Sequence, residues 1–389
     1  MPKISVLVIH NRYQQSGGED AVVRAEVEQL RARGHCVIEY MRDNTEISGY
    51  GRARTAALAL RAIWSSDTYA TLRDLIRRER PDIAHIHNFF PLVSPAAHYA
   101  CKASGIPVVQ TLHNYRLVCP AATLFSGRER CRQCGRGFRR GIWRGCYRRS
   151  RVQTAALAAM LAAHRISGTW QHCVDAFLVP SQFCRDYFVT AGLPASKVHV
   201  YANSLAHDPG PRNTAGDYAL FVGRLSPEKG VLELVRAWQQ IPDVPLLLAG
   251  GGPLRGQLEQ AAKSCHRVEL LGQLSPAQTI ARMKEARFVI FPSRWYEPFG
   301  MGLLEAAACG VPAIASRIGA IAELVADGET GLLFDPDNFD ELIEKVRWAG
   351  SHSAEMDQMG RAARQRYLQQ FTPEKSYDAW MNVCRILLG

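Results

Sequence analysis

No apolar run in the 389-residue chain approaches the ~18–20 residues of a helical membrane span. The longest helical apolar stretch, Ala155 to Ala163, is half that. Met1-Pro2-Lys3 leads straight into Ile4–Ile9, too short for a signal peptide and without a small-residue cleavage site, so export is not expected. Eleven cysteines is an odd count, which disfavours a disulfide framework and points to a reduced, cytosolic protein. G-x-G-x-x-G is missing, because Arg255 stands where Gly250-Gly251-Gly252 would need its last glycine, and no G-x-x-x-x-G-K-S/T occurs. A standard dinucleotide or P-loop site is therefore unsupported. Acidic residues are scarce in one half. Residues 1–205 hold 28 Lys and Arg against 14 Asp and Glu, whereas 206–389 hold 19 against 22, so the net +11 belongs to the first half. Such asymmetry suits a polyanion or an anionic membrane surface, or simply arginines on solvated faces.

What is present is ordinary globular composition, 47% apolar and 21% charged. Short β-branched runs alternate with helical patterns. Ile4–His10 leads through Gln14-Gln15-Ser16-Gly17-Gly18 into a helical stretch from Glu19 to Arg33, and strands follow at Cys36–Tyr40, Asp82–His87, Pro107–His113, Ala176–Pro180 and Val198–Ala202. The alternation restarts at Tyr218–Gly223, with a helix expected over Pro227–Gln240 and strands at Val244–Ala249, Glu269–Leu271, Phe288–Pro292, Val311–Ala315 and Leu332–Phe334. Buried strands separated by helices indicate an α/β chain of two doubly wound parallel domains facing a central cleft. The expected division is a first domain over 1–206, a turn-rich linker over 207–215, a second domain over 216–372, and a final helix over 373–389 that packs back on the first.

Two segments carry charge where ligands bind such folds. Gly223-Arg224 through Lys229-Gly230 follows the second domain's first strand, and Arg224 and Lys229 beside free helix-start amides make a phosphate clamp. Glu297-Pro298-Phe299-Gly300-Met301 leads into a helix bearing Glu305, and two carboxylates eight positions apart can accept hydrogen bonds from two regions of a polyhydroxylated ligand. Gly17, Gly18 and the Gly250–Gly252 run would let backbone approach a ligand, though each is a weak signal alone.

Together these features resemble the retaining glycosyltransferases of family 4, whose GT-B architecture pairs two Rossmann-like domains. The resemblance spans nearly the whole chain and is most specific at Gly223 to Gly230 and at the Glu-x7-Glu of Glu297 and Glu305. It implies a nucleotide-sugar donor, with UDP or GDP undecided, and a glycan or lipid-linked saccharide acceptor. Arg224 and Lys229 would hold the donor diphosphate, Glu297 the sugar hydroxyls, and Glu305 the ribose. The backbone at Phe299, Gly300 and Met301 would lie close by, with Gly17, Gly18, Gly223 and Gly252 also lining the donor, and His113 matches the histidine at the reaction centre. No metal is implied for catalysis: the lone Asp-x-Asp, Asp335-Pro336-Asp337, reads as a turn into a helix. Two other readings keep the fold: an epimerase or phosphorylase-like enzyme, and a non-catalytic sugar-nucleotide or glycan-binding protein.

One segment stands outside that pattern. Residues 128–151 hold ten arginines and one acid, Glu129. Cys131 and Cys134, with Cys119 and Cys146, have spacing for a four-thiolate structural zinc, or are free thiols in a loop. The apolar Gln153–Ile166 follows, flanked by Trp143 and Trp170. A basic loop beside an apolar helix suits an anionic membrane, which would place a cytoplasmic protein at the inner face of the cytoplasmic membrane. An acidic saccharide, or a buried helix of the first domain, is the alternative. Nucleic acid is not expected, since few aromatics interleave with the arginines.

Overall fold

The structure, a computed structural model, describes residues 3–14, 17–127, 129–135, 137–241 and 243–389, with backbone only for 52–56. Gln15, Ser16, Arg128 and Arg136 of the segments above lie outside the described residues. The chain divides into two compact units. The first comprises Met1–Thr123, Arg132–Ala202 and Ser376–Gly389, and the second Leu124–Cys131 and Asn203–Lys375.

The first unit is built on β1 (Ser5–Arg12), β2 (Cys36–Asp43), β3 (Ile83–Ile86), β4 (Val108–Thr111), β5 (Ala176–Val179) and β6 (Val198–Val200), all parallel and ordered β2-β1-β3-β4-β5-β6. Val6, Leu7, Val8 and Ile9 are all fully buried, as a central parallel strand covered on both faces requires. β2 is the edge, and its side chains are half-buried or exposed. The winding reverses between β1 and β3, which opens a crevice at their carboxyl ends.

The core between sheet and helix Gly18–Ala32 gathers Val6, Val8, Val23, Val27, Leu30 and Ile83. Helix Pro373–Leu388 completes it from far along the chain, with Trp380, Met381, Val383 and Cys384 in the same cluster. Trp380 is 1% exposed, and its Nε1 donates to His85 Nδ1 at 3.1 Å.

The second unit is built on β7 (Ala219–Val222), β8 (Leu246–Ala249), β9 (Val268–Gly272), β10 (Phe288–Phe291), β11 (Ala313–Ser316) and β12 (Gly331–Phe334), parallel throughout. Their order β9-β8-β7-β10-β11-β12 is the Rossmann 3-2-1-4-5-6. The turn-rich stretch after His207 is anchored here: Asp208 pairs with Arg364, and Arg212 with Asp357 at 2.6 Å.

One expected element is broken. The pattern from Pro227 to Gln240 suggested a single helix, but a 3-10 turn at Pro227–Lys229 ends at Gly230, and the α-helix is Val231–Trp238. Gly230 has φ +67°, and a Cβ there would lie 2.1 Å from the Pro292 carbonyl oxygen. Only glycine permits both the left-handed turn and that approach. The helical periodicity on either side does not reveal it.

Trp380→Ala is expected to destabilise the full chain by about 3–5 kcal/mol, from lost burial plus a cavity. Trp380→Phe is expected to lose much less, since it keeps most of the volume and forfeits one hydrogen bond. Chemical denaturation of the three proteins checks the ranking, and equal losses would show that the hydrogen bond rather than packing dominates.

Candidate active site

Both charged motifs leave the second unit's sheet at its switch point. β7 and β10 are neighbours, pairing Phe288 with Ala219 and Val289 with Leu220, and the segments 223–230 and 292–300 follow them. Beyond the Gly230 approach, the two segments are joined by Arg294 N donating to the Glu228 carbonyl at 2.8 Å, and Arg294 also pairs with Glu233 of helix Val231–Trp238 at 2.7 Å. This brings Lys229 Nζ onto Glu297 Oε1, which also accepts from Ser293 Oγ at 2.8 Å. Glu297 is only 6% exposed, and so close a cation offsets the cost of burying its charge. Lys229 Nζ also lies 5.4 Å from the Phe291 ring centroid and 5.6 Å from that of Trp295, within cation–π range. Arg224 is exposed, and among the described residues its guanidinium makes no hydrogen bond or ion pair. The structure therefore brings Lys229 and Glu297 together and leaves Arg224 facing solvent on the same segment.

Glu305 lies in helix Met301–Ala308, one of the helices next to the switch point. Burial pushes its carboxyl up to about 7, with no cation beside it to oppose the shift. Phe299 turns its side chain into the core against Phe371, centroids 6.1 Å apart, so only its backbone is available to a ligand. Gly300 caps the helix at φ +122°, and Met301 begins it half-buried. The Gly250–Gly252 run has a packing explanation. Cβ atoms at Gly250 and Gly252 would fall 1.9 Å from the Gly223 carbonyl oxygen and 2.4 Å from that of Leu225. Those two glycines are needed where the turn after β8 meets the turn after β7, whatever ligand is nearby.

In the first unit Gly17 caps helix Gly18–Ala32 with extended backbone, and a Cβ on it would meet nothing within 4 Å. Its N–H donates to Asp20 Oδ2 at 3.1 Å, while Asp20 Oδ1 lies 2.8 Å from His10 Nε2. Glu19 accepts from Tyr13 Oη at 3.0 Å and Asn114 Nδ2 at 3.2 Å, and burial raises its carboxyl above the usual range. His113 stands two residues beyond β4 rather than at its end. Its Nε2 is 2.9 Å from His87 Nδ1, and the two rings stack with centroids 5.2 Å apart. Burial, then the neighbouring His87, keeps His113 well below the usual imidazole range, so it is neutral.

Sequence reasoning missed most of this cluster. His85 and His87 share one face of a strand by their period of two, and Glu26 interrupts the buried stripe Val22, Val23, Val27 and Leu30 of helix Gly18–Ala32. A carboxylate at a core position opposite two histidines was the available signal. Among the described residues, Glu26, His85 and His87 are also the one group of ligand atoms within 4.8 Å of one another.

The cysteines do not form the expected set. Cys119, Cys134 and Cys146 lie in the first unit and Cys131 in the second, and the sulfurs of the first three are not gathered within 4.8 Å of one another. Cys134 is instead buried beside Gly141, whose Cβ position would be 3.2 Å from its sulfur. The apolar helix is an ordinary core element: Arg151–Ile166 buries Leu157, Met160 and Leu161, and Trp170 is 4% exposed. Trp143 does project outward, 70% exposed, and Val152 at 80% and Arg139, Arg140, Arg148 and Arg149 are exposed too. Asp335 and Asp337 form a turn, Asp337 N donating to Asp335 Oδ1 at 2.8 Å, and Asn338 caps the helix that follows.

Family comparison decides among the readings of this geometry. The profile described as Glycosyltransferase Family 4 matches residues 16–207, and that described as Glycosyl transferases group 1 matches 205–366. The chain belongs to the group 1 glycosyltransferases. This glycosyltransferase is 28% identical over 335 residues to the alpha-maltose-1-phosphate synthase of Mycolicibacterium smegmatis, covering 78% of each chain. It is 35% identical over 167 residues to D-rhamnosyltransferase WbpZ of Pseudomonas aeruginosa, covering 42% of each. Two solved structures share its fold over 99% of both chains at 18% identity: Anabaena HepE in complex with UDP and glucose, TM-score 0.68, and a sucrose-phosphate synthase from Thermosynechococcus elongatus, TM-score 0.71. The fold is thus the two-domain Rossmann-like architecture of GT-B enzymes.

The raised carboxyl of Glu305 gives a signed prediction. The folded state holds a proton that the unfolded chain, with a value near about 4.3, has released. Its contribution to stability is full below about pH 4.3 and is lost as pH rises through about 7. Glu305→Gln is expected to match the wild type at pH 5 and to exceed it by roughly 1–3 kcal/mol at pH 8. Urea denaturation at the two pH values tests this, and parallel pH dependence of the two proteins would contradict it.

Proposed function

We propose that this glycosyltransferase moves a sugar from a UDP- or GDP-sugar to a hydroxyl of a glycan or lipid-linked saccharide, with retention of configuration and without a catalytic metal. The observation that carries the reading is the Lys229–Glu297 pair beside exposed Arg224 at the switch point of the second unit. The similarity to an alpha-maltose-1-phosphate synthase and to HepE, whose structure holds UDP and glucose, supports it.

In this reading the arriving diphosphate draws Lys229 away from Glu297. Lys229 and Arg224 then hold the phosphate oxygens, and Glu297, released, accepts hydrogen bonds from the sugar hydroxyls. The bond from the anomeric carbon to the β-phosphate oxygen breaks with its electron pair going to the phosphate. The acceptor oxygen forms the new bond on the same face, and its proton passes to the departing phosphate. The barrier is leaving-group departure, so fixed positive charge on the phosphate is the main contribution of the protein. Glu305 takes the ribose hydroxyls, the backbone at Phe299 to Met301 lies along the donor, Gly17 and Gly18 leave room for the diphosphate, and His113 serves the reacting sugar.

Arg224→Ala and Glu297→Ala are each expected to lower donor hydrolysis or transfer by at least about a hundredfold. A panel of nucleotide sugars would be assayed, which also identifies the donor. Wild-type-like turnover in both variants would refute the assignment.

We further propose that the first unit rests on an anionic membrane through the exposed Trp143 and Val152 and the arginines around them. No helix among the described residues is long and apolar enough to cross a membrane, so attachment would be peripheral, at about 1 kcal/mol per basic residue near the surface. Liposome binding is expected to rise with anionic lipid, fall with salt, and weaken at least tenfold when Arg139, Arg140, Arg148 and Arg149 are changed to Glu. Binding indifferent to lipid charge and to these changes would count against the surface.

A further inference from the structure

The first unit buries a carboxylate that nothing in the reaction above uses. Glu26 is 6% exposed, and its Oε2 accepts from Tyr201 Oη at 3.3 Å. Its Oε1 has no hydrogen-bond partner, and neither has His87 Nε2, which faces it at 3.7 Å. Two buried orphans, one an acceptor and one a nitrogen that can carry hydrogen, call for an explanation.

An ion is the first candidate, since Glu26, His85 and His87 form a group of ligand atoms. The spacing opposes it. Glu26 Oε1 and His85 Nδ1 are 2.6 Å apart. Bonds of about 2.0–2.1 Å to one metal would subtend an angle near 80°, whereas tetrahedral ligands stand about 3.3 Å apart. His85 Nδ1 is also occupied, because it accepts the Trp380 indole N–H at 3.1 Å. His85 Nε2 lies 2.7 Å from Thr111 Oγ1, so both ring nitrogens of His85 already have partners. Glu26 Oε1 thus lies between the two rings, nearer His85 Nδ1 and within 3.7 Å of His87 Nε2.

Hydrogen placement follows along the row. Burial holds His87 down to about 4 and His113 lower than usual, so both rings are neutral and each carries one hydrogen. Burial works to raise the Glu26 carboxyl, but His85 and His87 outweigh it and keep it low, so Glu26 is an acceptor. An acceptor beside His87 Nε2 places the hydrogen there and leaves His87 Nδ1 bare. His113 Nε2 must then donate across the 2.9 Å contact. His10, its ring centroid 6.1 Å from that of His87, is held by Asp20 and does not enter the row.

We propose that Glu26 is a positioning residue which, through His87, fixes His113 as the Nε2–H tautomer and leaves its Nδ1 as a hydrogen-bond acceptor. The inference rests on the glycosyltransferase reading only for what His113 then does, which is to accept a hydroxyl hydrogen from the sugar or the acceptor. A carboxylate suits the task because it can only accept, whereas an amide could face His87 with either its oxygen or its nitrogen.

The test is nitrogen-15 NMR of the imidazoles in the full chain. Wild-type His113 is expected to carry hydrogen on Nε2 alone, and Glu26→Gln is expected to populate the Nδ1–H form. Tyr201→Phe, which keeps the carboxylate, should leave the tautomer unchanged. Hydrogen on Nδ1 in the wild type overturns the proposal even if Glu26→Gln does not fold. So does an unchanged His113 tautomer in a folded Glu26→Gln, or stoichiometric metal in the wild type that Glu26→Gln releases. With the donor found by screening, Glu26→Gln should lower kcat roughly tenfold to a hundredfold, as loss of an orienting partner does elsewhere, with KM little changed. A wild type that turns over no nucleotide sugar would remove the glycosyltransferase reading and leave the tautomer result standing.

Discussion

The close approach of Gly230 to the Pro292 carbonyl is the constraint on which the second unit's chemistry depends. It fixes the segments after β7 and β10 against each other, so a cation from one meets a carboxylate from the other. Glu297 would be costly to bury there without its partner: removing one side of a buried pair typically costs 3–5 kcal/mol. The pair is therefore a stable resting arrangement with an inherent instability toward any ligand that offers Lys229 a better anion. Arg224, which has no such partner among the described residues, is already exposed. A site of this kind needs no rearrangement of its strands to change from self-paired to ligand-paired; two side chains exchange partners.

The two units handle charge differently. At the second unit's switch point formal charges are paired at the surface of a crevice. In the first, the corresponding region is a row of imidazoles around one low-lying carboxylate, their rings packed against one another. The first unit's large positive excess does not contribute to that row. Much of it is in the arginine segment, on the outside, where Trp143 also stands.

Most strands, their alternation with helices and the charged segments were legible because each leaves a local mark: continuous β-branched runs, glycines at strand ends, and charges within a few residues of them. What was not legible depended on residues distant in sequence. Gly230 looks like any helix residue until Pro292 is placed beside it. Gly250 and Gly252 suggest a ligand loop until the turn after β7 occupies the same space. Cys119, Cys131, Cys134 and Cys146 have a plausible metal spacing along the chain, yet spacing carries no information on where each segment turns. Glu26 and His85 lie 59 positions apart, and Trp380 another 295 beyond, so no window reveals their cluster.

The helix Pro373–Leu388 has a consequence for biosynthesis. A ribosome delivers β1 to β6 complete by Val200, but Trp380 and its neighbours follow only after the 173 residues from Asn203 to Lys375. At about 5–20 residues per second that is a wait on the order of 10–30 s. Throughout it the sheet face carrying Val8, His85 and Val109, together with the carboxylate of Glu26, has helix Gly18–Ala32 but lacks Trp380 and its neighbours. The nascent first unit thus has an incomplete core, with the Glu26 carboxylate at its edge, until translation reaches helix Pro373–Leu388.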